Sequence, residues 1–335
     1  MCAATDSVGF KAKQLCCHLV SGLMGLLLCV QAGAGAPEPG VELFVPTATQ
    51  GSTDLLARML AQGLNDTGKW RVSVHNLPGH NGALAAQRVA SAPPDGSALL
   101  LATPSSHGIA AALHKNLPYD SVDDFTPILR FAAAPYVLVV KAGGPESLSE
   151  LKARVKSGER VWRYASTGVG GPHHLVAEHY FRRAGLQLQH VPMAGGEVAL
   201  QSVERGEVDV MLPAAVLAIS KIQAGQLKAL AVTGTRRLSA MPQVPTFAEL
   251  DMPVNFVSWY GLLAPAGMSP QMVTTLTEAV QQTLKAPSAQ NRMAQLAVQP
   301  TSETGAQFAA VISDEIHQWK TLVNVLAPAG QIPKD

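Results

Sequence analysis

The feature that most constrains this chain is a strand–loop–helix unit at Val41–Leu64 (VELFVPTATQGSTDLLARMLAQGL), which the second half repeats in kind at Val161–Arg183. Val41, Leu43 and Val45 alternate and Pro46 ends the run, the pattern of a short strand. Past the loop, Leu55, Leu56, Met59, Leu60 and Leu64 fall at helical spacing and build one apolar face. Ser52, Thr53 and Asp54 stand where an N-cap belongs, so the loop Pro46–Gly51 leads into exposed first-turn N–H groups. Such a helix start attracts anions through its free donors and its dipole. The loop offers the hydroxyls of Thr47, Thr49 and Ser52 and no Lys or Arg. Two readings stand at this point: a seat for a small carboxylate held by neutral donors, and an ordinary turn with a good cap.

The same grammar continues. Arg71–Asn76 reads as a strand, Leu77–Gly82 as a turn and Ala83–Ala90 as a small-residue helix. Pro93-Pro94-Asp95-Gly96 is a turn signal. It leads to Ala98–Ala102, a strand buried on both faces, then a polar loop Thr103–His107 and a short helix. This β-α-β-α-β-α order argues for a parallel sheet with helices on its faces. Asn116–Phe125 is an irregular connection, Tyr136–Val140 a strand and Lys141–Pro145 a glycine-rich break. Ser147 begins a helix through Lys156. The second unit follows, with strand Val161–Ala165, loop Ser166–Gly171 and Pro172 at the first helical position. His190–Val191, Val208–Leu212 and Leu227–Thr233 read as strands, Glu197–Glu204 and Ala214–Gln223 as helices, and Val257–Pro265 as a strand returning across the molecule. The tail is helical over Pro270–Leu284, Ala289–Leu296 and Ala306–Leu326. Two α/β lobes are expected, residues 37–138 plus 262–335 and residues 139–261, joined by hinge strands near 136–140 and 257–263. Gly143, Gly144 and Gly261 are available to absorb the angle change of closure. Ligands of such sheets sit at the carboxyl ends of the strands, here between the lobes.

Residues 1–36 read as a secretory signal: Lys11 and Lys13, an apolar run Leu15–Val30, and an A-x-A ending cleaved after Ala34 or Ala36. The run is interrupted and short of the about 20 residues of a membrane helix. Cys2, Cys16, Cys17 and Cys29 all lie inside it, so the mature chain carries no thiol chemistry, and its export fits a bacterial periplasm. A net charge of +1 and 5% aromatics leave no basic stripe or stacking surface for nucleic acid.

The stretches VPTATQGSTDLLARMLAQGL, NLPGHNGALAAQRVASAPPDG, LPYDSVDDF, YASTGVGGPHHLVAEHYF, HVPMAGG, GEVDVM, LKALAVTGTRR, VPTFAEL and SWYGLLAPAG, in this order and spacing, resemble the periplasmic substrate-binding receptors of tripartite tricarboxylate transporters, the Bug family. The resemblance runs from Val41 to the C-terminus. It implies a two-lobe α/β periplasmic-binding-protein fold (Venus-flytrap, type II) that closes on a small carboxylate. It also implies a monomer with no catalysis and no cofactor, which hands its ligand to the membrane permease subunits of such a transporter. The ligand contacts it implies fall on the loop after the first strand and on the opposing loop before the second lobe's helix. On this chain they are Pro46, Thr47, Thr49, Gln50, Gly51, Ser52 and Asp54, with Ser166, Thr167, Gly170, Gly171, Pro172 and His174. Ser105 and Ser106 in the loop Thr103–His107, and Met193 with Glu197 at the Pro192–Gly196 turn, complete the cleft. The chain departs from the family pattern at Thr47 for an aromatic, Gln50-Gly51 for Gly-Gly, Met193-Ala194 for an aromatic-basic pair, and Pro213 for an acidic residue. Glu197 adds a carboxylate. Glu197 and Gln50 therefore either tune the cleft for an amino-acid-like ligand or, for Glu197, serve as a solvated first-turn residue.

Other chemistry fits less well. His173 and His174 diverge by about 100° on a helix and cannot share a metal; a packed or capping role is expected, with His174 touching ligand. Tyr164-Ala-Ser-Thr-Gly168 lacks the leading glycine of a nucleophile elbow, and Gly168-Val-Gly170-Gly171 lacks a phosphate-loop lysine. Asp120, Asp123 and Asp124 read as a solvated turn rather than a calcium site. After transport receptor come two other classes, an orphan sensor feeding a two-component system and an exported hydrolase.

Overall fold

The computed structural model describes residues 40–327 apart from 253 and 255; the expected signal at 1–36 and its cysteines lie outside the described residues. Strands β1 (Gly40–Val45), β2 (Arg71–Asn76) and β3 (Ala98–Ala102) run parallel with β1 central. Helix α1 (Ser52–Asp66) follows β1 and buries Leu56, Leu60 and Leu64, each contributing about 1.5–3 kcal/mol through burial. Helix α2 (Ala83–Ala90) follows β2 and packs through Ala83, Ala85, Ala86 and Val89. A single wide turn at Ser105–Ile109 stands where a loop was expected, and it runs into α3 (Ala110–Leu113).

The first sheet is mixed rather than parallel. Strands β4 (Phe125–Pro135), β10 (Val257–Pro265) and β11 (Gln299–Glu303) join it antiparallel to their neighbours, in the order β11-β4-β10-β3-β1-β2. The chain leaves this sheet after β4 and must run back into it through β10, which reverses the direction. The pattern hid β4 and β11 for different reasons. β4 holds Pro127 and a run of alanines without alternation, and β11 is polar with Pro300, tolerated on an edge.

The second sheet, in the order β7-β6-β8-β5-β9, holds β5 (Val137–Lys141), β6 (Arg163–Ser166), β7 (Gln189–Pro192), β8 (Val210–Met211) and β9 (Leu227–Val232). Helices α4 (Leu148–Lys156), α5 (Pro172–Arg183), α6 (Gly196–Glu204) and α7 (Ala215–Gln223) cover it. Helices α8 (Pro270–Lys285), α9 (Pro287–Gln295) and α10 (Gly305–Leu326) close the chain, α8 and α10 packing back on the first sheet.

The two α/β lobes meet at two crossings. Only Tyr136 separates β4 in one sheet from β5 in the other. Thr233 ties this crossing to the return: its hydroxyl accepts from the Tyr136 N–H at 2.9 Å and donates to the Phe256 carbonyl at 2.7 Å. β10 lies wholly in the first sheet, including 257–261, which the sequence reading gave to the second lobe. Gly261 has a different role from the expected one. The ring of Phe308 on α10 occupies the space a Cβ would take, so glycine is there for close packing of helix on strand rather than for freedom.

Candidate functional site

A cleft of about 630 Å³ is lined by residues 46–53, 78–79, 81–82 and 103–105 from the first lobe and 167, 171–173, 194–198, 201 and 217 from the second, with Ser258 behind. Four helices begin there. The N-cap residues of α1, α2, α5 and α6 are Gly51, Gly82, Gly171 and Gly195; none has a side-chain cap, and all four line the cleft. No side chain therefore covers the first-turn N–H groups of α1 and α6, while at α5 Pro172 has no N–H and the His174 N–H bonds the Gly171 carbonyl, and at α2 the Ala83 N–H bonds the His80 carbonyl. Hollows of about 560 and 870 Å³ elsewhere also meet helix starts, but there Ser147 and Ser269 cap α4 and α8 themselves. Among the described residues the lining has no Lys or Arg, and its hydroxyls include Thr47 Oγ1 and Thr103 Oγ1, both buried without a hydrogen-bond partner. The arrangement suits an anion held by neutral donors and helix dipoles.

The first jaw is fixed by Asp54. Gly51, rather than Ser52–Asp54, is the N-cap, and Asp54 stands one turn in, its carboxylate accepting the Gln50 N–H at 2.9 Å, Arg58 Nε at 3.0 Å and Asn76 Nδ2 at 3.0 Å. Asn76 also donates to the Thr47 carbonyl at 3.0 Å. These bonds hold Gln50 at φ +64, a left-handed conformation uncommon outside glycine. Burial opposes ionisation of Asp54, but the bonds from Arg58, Gln50 and Asn76 outweigh it and hold the pKa below its ordinary value.

The second jaw is fixed by imidazoles. His173 Nε2 accepts the Ala214 N–H at 3.3 Å, so its Nδ1 carries the proton and donates to Thr167 Oγ1 at 2.9 Å. His174 Nδ1 accepts the Gly170 N–H at 3.0 Å, and the ring stacks on His190 at 3.9 Å. His190 Nε2 lies 2.7 Å from Ser166 Oγ, which bonds the Gly168 carbonyl. Burial lowers His173 to about 4, His174 to about 3 and His190 to about 4, so all three are neutral at neutral pH.

Of the residues expected at the site, the cleft brings together Pro46, Thr47, Thr49, Gln50, Gly51, Ser52, Ser105, Thr167, Gly171, Pro172 and Glu197. The others stand outside the lining. Asp54, Ser106, Ser166 and His174 are buried braces, Ser106 bonding the Thr103 backbone in its own turn. Met193 packs on the second core. Gly170 abuts the other lobe: a Cβ there would sit 2.8 Å from Leu113 Cδ1, at φ +73. The histidine facing the cleft is His173, where the sequence reading chose His174, because Nδ1 of His174 is taken by Gly170. Asn81, Gly82, Gln201, Leu217 and Ser258 were missed; only the left-handed turn signal LPGHNG pointed to the first two.

Among the described residues, Glu197 is the one carboxylate in the lining, drawn to Lys221 Nζ at 3.3 Å and Gln201 Nε2 at 3.0 Å. The described residues hold no cluster of His, Cys, Asp or Glu suited to a metal ion. Ser166 beside His190 has no exposed surface, so its hydroxyl lacks the access of a nucleophile.

Fold and cleft define a two-lobe solute-binding receptor of the periplasmic-binding-protein type. The chain belongs to the tripartite tricarboxylate transporter receptor family, TctC, whose pattern matches residues 56–327, and within it to the Bug receptors. It is 29% identical to protein BugT of Bordetella pertussis, over 86% of this chain and 89% of that one. Among solved structures it is similar to MatC from Rhodopseudomonas palustris with bound malate, at 31% identity and TM-score 0.78 over 86% of this chain and all (100%) of that one. A second R. palustris protein, with adipate, matches at 27% identity and TM-score 0.81, over 87% and 98%.

Proposed function

We propose that this receptor works in the periplasm, capturing a small carboxylate-bearing metabolite between its lobes and delivering it to the permease subunits of a tripartite tricarboxylate-type transporter. The observation that carries the reading is the convergence of four uncapped helix starts on a cleft without Lys or Arg. The malate and adipate bound to its structural relatives support the ligand class. Residues 40–135 and 257–327 form the first lobe and 137–252 the second, with Tyr136 and the return through Phe256 as hinge. Ligand contacts come from Thr47, Gln50–Ser52, Ser105, Thr167, Gly171–His173 and the α6 start, while Asp54, Ser166, Gly170 and His174 shape the loops that carry them. Closure is stabilised only by the ligand's differential affinity for the closed form.

A thermal-shift screen over mono-, di- and tricarboxylates tests the reading. Ligand at a hundred times Kd contributes about 2.7 kcal/mol, a shift of several degrees for a chain of this size. No shift across the panel, with no small acid released on denaturation by mass spectrometry, rejects it. Glu197 supports a second reading, an amino-acid-like ligand whose ammonium replaces Lys221 at that carboxylate. Unchanged calorimetric affinities for acids and amino acids in Glu197→Ala would remove it. Permease or kinase genes beside this one separate transport from sensing, and turnover of ester substrates would support a hydrolase.

A further inference from the structure

Helix α10 passes behind the cleft, packed on the turn at Ser105–Ile109, on α3, on β4 and on α5. Its Glu315 turns a carboxyl inward. Oε2 is buried without a hydrogen-bond partner of ordinary geometry, and a Cβ on Gly108 would sit 2.9 Å from it. The indole N–H groups of Trp259 and Trp319 are directed at the carboxyl. They too fall short of regular bonds, as do the buried phenols of Tyr136 and Tyr260. The Tyr136 phenol faces Glu315, Tyr260 and Ser258, and the Tyr260 phenol faces Ser258 and Ser52.

This cluster reaches both jaws. Ser52 opens α1, and the Tyr136 ring meets His173 of the first turn of α5 edge-on at 5.9 Å and 80°. Ser52, His173 and Ser258 all line the cleft. Buried polar groups left short of partners ask for an explanation beyond packing. Among the described residues, the charge brought to bear on Glu315 is that of Arg130 on β4, whose guanidinium is already bonded to Glu303. The crossing and β10 present neutral phenols and indoles, and the turn presents Gly108 and neutral His107, which burial lowers to about 3. His114 ends α3, while His179, Arg182 and Arg183 of α5 and His317 of α10 line a groove on the outer face. Burial raises Glu315 to about 8, which keeps it protonated at neutral pH.

We propose that Glu315 is a positioning residue for anion capture, a neutral carboxyl behind the hinge that holds the two helix starts of the jaws in place through Tyr136 and Tyr260. Ionised, it has no counter-charge of its own and draws the indoles and phenols from Ser52, Ser258 and His173, loosening both starts. The ligand half of the idea rests on the receptor reading; the rest does not.

Tryptophan emission is titrated between about pH 6 and pH 10 in the full chain, with hydrogen exchange, corrected for intrinsic rates, at residues 52–56 and 173–176. Wild type should show an emission transition near the Glu315 pKa and a loss of protection across it. Glu315→Gln, which mimics the protonated acid, should show neither. Tyr260→Phe should keep the transition while uncoupling exchange at residues 52–56, and it serves if Glu315→Gln fails to fold. With malate and adipate as probes, wild-type affinity should fall about tenfold across the transition, and Glu315→Gln affinity should stay level. A transition that survives Glu315→Gln, or exchange that ignores pH in wild type, overturns the proposal. So does an equal loss of affinity in both proteins. If neither acid binds at any pH, the carboxylate reading fails, and exchange alone decides the role of Glu315.

Discussion

The two jaws share one grammar, strand, small-residue loop and glycine-capped helix, yet they are stiffened by opposite chemistry. Asp54 braces the first with an ionised carboxylate that gathers Gln50, Arg58 and Asn76. The second is braced by neutral rings: His173 holds Thr167 and Ala214, His174 holds Gly170, and His190 holds Ser166. A carboxylate with three donors resists protonation, whereas a buried imidazole that accepts a backbone N–H loses that bond when it takes up a proton. The cleft therefore carries one acid-resistant wall and one acid-sensitive wall.

Removing the first brace should have the largest effect. Asp54→Ala leaves Gln50 in its left-handed conformation without its partner and frees Arg58 and Asn76. Arg58 is exposed, which screens its share of the interaction. A loss of about 2–3 kcal/mol is expected in denaturant melts, together with loss of carboxylate affinity by calorimetry.

Acid should act next, and on the second jaw. His174 and His190 have folded values near 3 and 4, against an ordinary 6.5. The unfolded chain therefore binds more protons, and their contribution is complete above about pH 6.5 and is lost as pH falls toward 4. Denaturant midpoints should drop across that window, and His190→Gln should flatten the slope. Asp54, with its lowered pKa, should add its own loss only further down. A first jaw that opens before the second, read by hydrogen exchange at residues 46–54 and 166–174, would break the comparison.

Gly170 tests whether the jaws must touch. Its φ of +73 and the approach of Leu113 leave no place for a Cβ. Gly170→Ala should cost about 1–2 kcal/mol and weaken binding while the fold persists, as circular dichroism beside calorimetry would show. Glu197→Gln should have the smallest effect on stability, below about 1 kcal/mol, because its partner Lys221 keeps Glu204 at 2.9 Å.

The sequence made the local architecture legible. Alternation marked β1, and the proline opening α5 was visible at its first helical position. The small-residue loops read from the sequence line the cleft, because a helix start without a bulky cap is a local property. What the sequence could not assign was which member of each loop faces inward. Asp54, Ser166 and His174 carry the chemistry a ligand contact would need, but their hydrogen bonds go to Gln50, Gly168 and Gly170 within the jaws.

The strand, loop and helix of Val41–Leu64 follow from periodicity, which depends on neighbours a few residues away. That its glycine start would meet three others across a cleft, that His173 would face that cleft, and that Glu315 would lie behind it were decided by tertiary structure. Apart from the Gly51–Gly82 pair within the first lobe, those relations join residues more than a hundred positions apart, which the crossing at Tyr136 and Thr233 brings together.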